Sequence, residues 1–221
     1  MPLTGRKTMA QTTTPKDATR RDALVAAAVA CIEELGPGVG LAQIAERAGL
    51  PRPHVYRVVA SKEELDAEVG RLAAERFVER VRPAVAHPAS LRDTAYGAVE
   101  AAVEWAAEHP NLYRFLAARQ HARAASGPRH GRGRFLALLV ESSTEYLRRT
   151  GGDVAEVPAA DGVYAGIMGL IDASIIWWLD HQDETQQQVV ERLARQVTLI
   201  QRDLLAQLGI AADDYAIFGA L

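Results

Sequence analysis

The sequence predicts an all-α protein of about nine helices, with an N-terminal three-helix unit built around a helix-turn-helix and a larger helical unit behind it. Three observations carry this prediction. Apolar residues recur at three- and four-residue spacing along most of the chain, and no stretch shows a strong two-residue alternation. Helix signals punctuate that pattern at regular intervals, among them the capping boxes Ser61-Lys62-Glu63-Glu64 and Ser90-Leu91-Arg92-Asp93 and several Gly/Pro stops. Residues 41–65 compress two short helices and the start of a third around one tight turn.

The elements follow in order. Residues 1–16 mix Gly, Pro, Thr, Lys and Arg without periodicity and read as a flexible basic arm. Asp17 to Leu35 reads as the first helix, with Leu24, Ala28, Cys31, Ile32 and Leu35 on one face and Gly36-Pro37-Gly38 as its stop. Two short helices are expected near 41–48 and 52–59. Leu41, Ile44 and Ala45 form the apolar face of the first, and small Ala45 lets a second helix cross close by. Gly49 falls where that helix must end in a left-handed residue, and Leu50 can plug the space beneath the turn. Pro51 cannot extend the preceding helix, whereas Pro53 suits the first turn of a new one. Val55 and Val58 or Val59 then face inward. Arg52, His54, Tyr56 and Arg57 are left around the start and outer face of the second short helix. Such an arrangement is the outline of a helix that enters the major groove of DNA, although the spacing alone also fits an ordinary surface helical hairpin.

Ser61 opens a long helix expected to run to Arg82 and to end at Pro83. Further helices are expected over 91–108, 111–125 and 135–149, then one opened by Pro158 to Asp161 and ending near His181, and a last one over 183–208. The domain division expected from this layout is a basic arm over 1–16, a helix-turn-helix unit over 17–66 and a helical unit over 67–221.

Composition narrows the possible roles. Hydrophobic residues make up 48% of the 221, enough for a substantial core. The net charge of -3 argues against a protein that coats nucleic acid with its whole surface. Yet residues 1–65 carry a balance of +2 and the remainder -5, so positive charge gathers where DNA would lie. Cys31 is the one cysteine, which forbids an intrachain disulfide and reads as a core thiol. The N-terminal residues show no secretory pattern, and a reducing cytoplasm fits. Gly162 to Leu179 is apolar enough to raise the question of a membrane, but Asp172 interrupts it and glycines punctuate it, so a buried helix is expected. An enzyme is disfavoured. No HExxH, Gly-rich phosphate loop or G-x-S-x-G occurs, and His87, His109, His121 and His130 lie singly near loops or helix ends. No metal or cofactor is expected.

The run Ile44-Ala45-Glu46-Arg47-Ala48-Gly49-Leu50, then Val55-Tyr56-Arg57, then Ser61-Lys62-Glu63-Glu64-Leu65, resembles the TetR family of bacterial transcriptional regulators over residues 20–66. The resemblance implies that Tyr56 and Lys62 touch DNA phosphates and that Arg52 and His54 read base edges, with Arg57 beside them. It departs from the family pattern at Gly40, Pro51, Pro53, His54 and Val59. The two prolines remove backbone N–H groups that could have held phosphate. The resemblance further implies a double-stranded operator, a homodimer and a small-molecule effector of apolar or aromatic character. Of thirteen aromatic residues only Tyr56 precedes residue 66. Candidate pocket residues are Tyr96, Val99, Val103, Phe115, Arg119, Phe135, Leu139 and Ser142, each of which also fits plain core. Candidate dimer-interface residues are Gly166 and Ala173 on the apolar helix and Val189, Leu193, Val197, Ile200 and Leu204 on the last one. That helix pair could instead close its own domain. The function expected is a ligand-responsive regulator, acting as a repressor; the alternatives are a DNA-binding helical protein without an effector, or a helical enzyme.

Overall fold

The computed structural model describes residues 15–86, 90–124 and 160–207. Eight helices occupy them: α1 Pro15–Leu35, α2 Leu41–Arg47, α3 Arg52–Val58, α4 Lys62–Ala86, α5 Leu91–Glu108, α6 Pro110–Ala124, α7 Ala160–His181 and α8 Gln186–Gln207. The helix expected over 135–149 lies outside the described residues, as do Phe135, Leu139 and Ser142 and nearly all of the expected arm. Two compact units emerge, Met1–Val69 and Gly70–Leu221, with the boundary inside the continuous helix α4.

In the first unit α1 packs on α2 and α3, and α2 on α3. Leu24, Ala28, Cys31 and Ile32 meet Ile44, Ala45, Val55, Val58, Val59, Leu65 and Val69 in one buried core. Both Val58 and Val59 are interior. Leu35 is not: it is 59% exposed, because it closes α1 just before Gly36 takes φ 92° and turns the chain away.

The second unit is built on α5, which packs most extensively along α8 and also meets α6 and α7; α7 in turn packs on α8 and α6. Phe77 of α4, Trp105 of α5 and Tyr113 of α6 form a buried edge-to-face cluster, with ring centroids 5.2 to 6.2 Å apart. The Tyr113 hydroxyl donates to Asp172 Oδ1 of α7 at 2.7 Å. Burial, then the nearby Asp172 carboxylate, push the Tyr113 phenol well above its ordinary range. Asp172, which interrupts the apolar run in sequence, is therefore a partner for α6.

Four further expectations need correction. The first concerns Pro83, which does not end α4; the helix continues to Ala86. Proline there removes only the N–H that would reach the Glu79 carbonyl, on an exposed position, while Val81 and Val85 stay buried and hold the last turn. The last helix, α8, starts at Gln186 rather than Asp183. Thr185 and Gln188 cap each other reciprocally: Gln188 N donates to Thr185 Oγ1 at 3.2 Å, and Thr185 N to Gln188 Oε1 at 2.8 Å. Residues 182–184 form the corner before it. Gln182 sits at φ 51° and its side chain donates to the Trp178 carbonyl; the Trp177 and Trp178 indoles donate to Asp183 Oδ2 and the Glu184 carbonyl.

The third correction is to α7, which is not a wholly buried helix. Tyr164, Ile167, Ile171, Ile175 and Trp178 are interior, but Gly162, Ala165, Gly166, Ala173 and Trp177 are exposed. Only 28% of the apolar window Gly162–His181 is covered, although by length and composition alone it could cross a membrane. The last correction is to the stripe on α8. Val189, Leu193, Val197 and Leu204 are buried within the single chain, where α5 packs along the helix. These four side chains have almost no remaining surface to bury in a dimer; Ile200, the other member of the expected stripe, is half-buried.

Replacing Tyr113 by Phe should leave the Asp172 carboxylate without this donor and cost about 1–2 kcal/mol. Urea unfolding followed by circular dichroism measures the loss, and an unchanged midpoint would remove the bond from the account of the fold.

Candidate nucleic-acid interface

The turn between α2 and α3 follows from a few local hydrogen bonds. Gly49 takes φ 63°, its N–H donates to the Glu46 carbonyl at 3.0 Å, and Leu50 N–H reaches back to the Ala45 carbonyl at 2.9 Å. This Schellman arrangement closes the exposed end of α2 and requires a residue that tolerates the left-handed region. At the other end of α2, Gln43 Oε1 accepts from the Gly40 N–H at 3.0 Å, which supplies half of a capping box where Gly40 has no side chain to supply the rest.

A polar clamp then fixes α3. Arg21 of α1 donates from Nη1 to the Val58 carbonyl at 2.6 Å and from Nε to Glu68 Oε1 at 2.8 Å, and its Nη2 meets both Glu64 and Glu68. One guanidinium thus ties α1, the C-terminal end of α3 and the first turns of α4. The bonds to Glu68 and Glu64 hold Arg21 even more firmly protonated than a free arginine. Conversely the Arg21 bond, followed by the Ala60 N–H, holds the Glu64 carboxyl below its usual range. Glu64 therefore reaches Ala60 rather than Ser61, while Ser61 Oγ caps α4 by accepting from the Glu64 N–H at 3.2 Å. A second ion pair, Arg47 to Glu34, joins the end of α2 to α1.

The outer face of α3 carries the remaining polar groups. Tyr56 is 63% exposed, Arg57 is exposed and His54 half-buried, with Val55 turned inward. Arg52 opens α3, and its side chain lies outside what the structure describes. The backbone here offers little to an anion: Pro51 and Pro53 have no N–H, and the N–H groups of His54 and Val55 already turn to the Pro51 carbonyl. Lys62, at the start of α4, is half-buried and held by Asp66 in an i,i+4 pair. Phosphate would have to compete with that carboxylate. Sequence reasoning missed Arg21; an arginine extending the apolar stripe of α1, with two glutamates one turn apart on α4, was the available signal.

The sequence-predicted pocket residues do not gather in one described cavity. Val99, Val103 and Phe115 are buried in helix packing. Arg119 lies over the Phe115 ring and beside Gly70, where a Cβ would sit 2.9 Å from its Nε. Tyr96 lines an open cleft between α5 and α8.

Residues 26–64 match the family model of the IclR helix-turn-helix domain. No curated protein matches the sequence. Solved structures with the same fold include a TetR-family regulator from Streptomyces coelicolor, at 19% identity over 86% of this chain and 83% of that one, with a TM-score of 0.61. The fatty acid degradation regulator FadR from Bacillus halodurans is 18% identical over 81% of this chain and 94% of its own, with a TM-score of 0.63. FadR from Bacillus subtilis, solved with stearoyl-CoA, is 17% identical over 80% of this chain and 97% of its own, with a TM-score of 0.61. At these identities the likeness establishes the fold: an all-α chain with the architecture of TetR-family regulators and a helix-turn-helix at its N-terminal end.

Replacing Glu64 by Gln should flatten the acid limb of the stability curve. Its folded carboxyl titrates below the ordinary 4.5, so the stability it lends is complete above that value and is lost as pH falls through the lowered one. The variant should be less stable at pH 7 and converge with the parent in acid. Denaturant curves from pH 7 to 3 that stay parallel would contradict this.

Proposed function

We propose that this protein is a TetR-type transcriptional regulator, a repressor that binds a near-palindromic operator as a dimer and leaves it when a small molecule occupies the second unit. The observation that carries the reading is the face of α3. A short helix, held at its start by a Schellman turn and at its end by Arg21, presents Tyr56 and Arg57 outward with half-buried His54 beside them, and no apolar element among the described residues covers Tyr56 or Arg57. Such a helix suits the major groove. Tyr56 and Lys62 would meet phosphates, and Arg52 and His54 would meet base edges. With so few free N–H groups at the start of α3, side-chain cations would carry most of the affinity, and the site of action would be the cytoplasm.

Dimerisation is supported by α7. Its exposed stripe of Gly162, Ala165, Gly166, Ala173 and Trp177 is apolar and mostly small, which allows close approach by a second helix. Leu199, 52% exposed on α8, extends the apolar surface. Two copies related by a two-fold axis would cover both. The similarly folded Bacillus subtilis regulator was solved with stearoyl-CoA, which supports a small-molecule effector here and fits the expectation of an apolar one. Such an effector must prefer one conformational state, since equal affinity for both would shift nothing. Helix α4, continuous from Lys62 to Ala86, is the covalent route between the units.

Gel shifts on the DNA upstream of the gene test the reading. Lys62→Ala should weaken every bound sequence alike and lower the salt slope by about 1, whereas Arg52→Ala should cost about 1–3 kcal/mol at one base position. Absence of a shift on any palindrome at low salt would end the proposal. For the dimer, Gly166→Glu is informative because an added Cβ there meets nothing within 4 Å. The variant should stay folded and sediment as a monomer; a dimer of unchanged affinity would place the interface elsewhere.

A further inference from the structure

We infer that the cleft between α5 and α8 binds a small oxyanion, a solute carrying a carboxylate or a phosphate. The cleft lies within the second unit and is a solvent-open recess of about 720 Å³, a size that small-molecule sites of about 300–1,000 Å³ also have. Its floor consists of Ala194 and Thr198, one turn apart on α8 and both buried. The neighbouring buried positions of α8 are filled by the larger Val190, Leu193, Val197 and Leu205, so the concavity arises where the seam changes to small residues.

Three guanidinium groups line the walls, and they are not equivalent. Arg192 is bound by Glu184 through Nε at 2.9 Å and Nη2 at 2.6 Å, which fixes it and neutralises it. Arg92, in the first turn of α5, and Arg195, on α8, have no carboxylate partner among the described residues. For Arg195 this is informative. Glu191 stands one turn before it, at the spacing where helical ion pairs form, yet Glu191 accepts from Gln187 instead. Arg92, Arg192 and Arg195 against Glu184 and Glu191 give the described lining a net charge of +1, in a part of the chain whose net charge after residue 65 is -5. A locally positive recess in an acidic surround concentrates small anions.

Neutral donors and acceptors complete the lining. Tyr96 contributes a half-buried hydroxyl. Thr198, the buried polar residue of the described core, donates its proton to the Ala194 carbonyl at 2.7 Å, which leaves its oxygen to accept from a ligand hydroxyl. Guanidinium forks match the geometry of carboxylate and phosphate. The ligand class is thus polar and anionic, unlike the apolar effector expected of the interior.

The test uses the full chain without DNA, so its outcome is independent of the DNA-binding reading. Calorimetric titration with sodium phosphate, and separately with citrate, is compared with sodium chloride at equal ionic strength. Saturable binding of one ion per chain is expected from at least one of the two. Phosphate alone would assign a phosphate ester, and citrate alone a carboxylate. Arg92→Gln and Arg195→Gln should each weaken it tenfold or more, with unchanged circular dichroism because neither side chain is bonded to another described residue. Arg195→Lys should retain part of the affinity. Heats that merely follow ionic strength, or an affinity unchanged in the double glutamine variant, would overturn the inference.

Discussion

The first unit depends on the reach of one arginine. Helix α3 has seven residues, too few to be stable alone, so its direction must be imposed by its neighbours. Arg21 does this by meeting a carbonyl at the end of α3 and two carboxylates on α4 at once. A lysine could not span these acceptors, because it carries a single point of charge where the guanidinium has a planar fork. The same bonds depress the Glu64 carboxyl and leave it free to hold the Ala60 N–H, so the turn between α3 and α4 is ordered through the same ion cluster. The exposure of Tyr56 and Arg57 is a consequence: the inner side of α3 is committed to Val55, Val58 and the clamp, and what remains faces outward.

The parts of the fold that were legible in the sequence are those decided within about four residues. Gly49 specifies its own turn, and Ser61 with Glu64 announces the start of α4. The valines of α3 alternate with polar groups at helical spacing, and that spacing alone puts Tyr56 and Arg57 on the outer side. Arg21 could not be read in the same way, because its partners stand 37 to 47 residues away. Pro83 misled for a related reason. The rule that proline stops a helix is local, and burial of Val81 and Val85 overrides it at a solvent-facing position.

The α7 and α8 helices show what periodicity leaves open. A stripe of Val189, Leu193, Val197 and Leu204 identifies a face that avoids water, but a hydrophobic face has no address, and α5 of the same chain is the surface that covers it. On α7 the reverse holds. Continuous apolarity suggested complete burial, yet the helix is two-sided, with Tyr164, the isoleucines Ile167, Ile171 and Ile175 and Trp178 inward, and Gly162, Ala165, Gly166, Ala173 and Trp177 outward. Up to Ala173, size more than hydrophobicity separates the two faces of α7: branched and aromatic side chains fill the unit's interior, whereas small ones leave the backbone accessible; Trp177 near the helix end breaks that division.

The partition of aromatic residues has an optical consequence. All three tryptophans, Trp105, Trp177 and Trp178, belong to the second unit, and the sole aromatic of the first is Tyr56. Indole emission is therefore blind to melting of the helix-turn-helix, whereas far-ultraviolet dichroism sees every helix. A single fluorescence transition would pass for two-state unfolding of the whole chain even if the first unit had already come apart, and only the mismatch between the two signals would reveal how far the units are coupled.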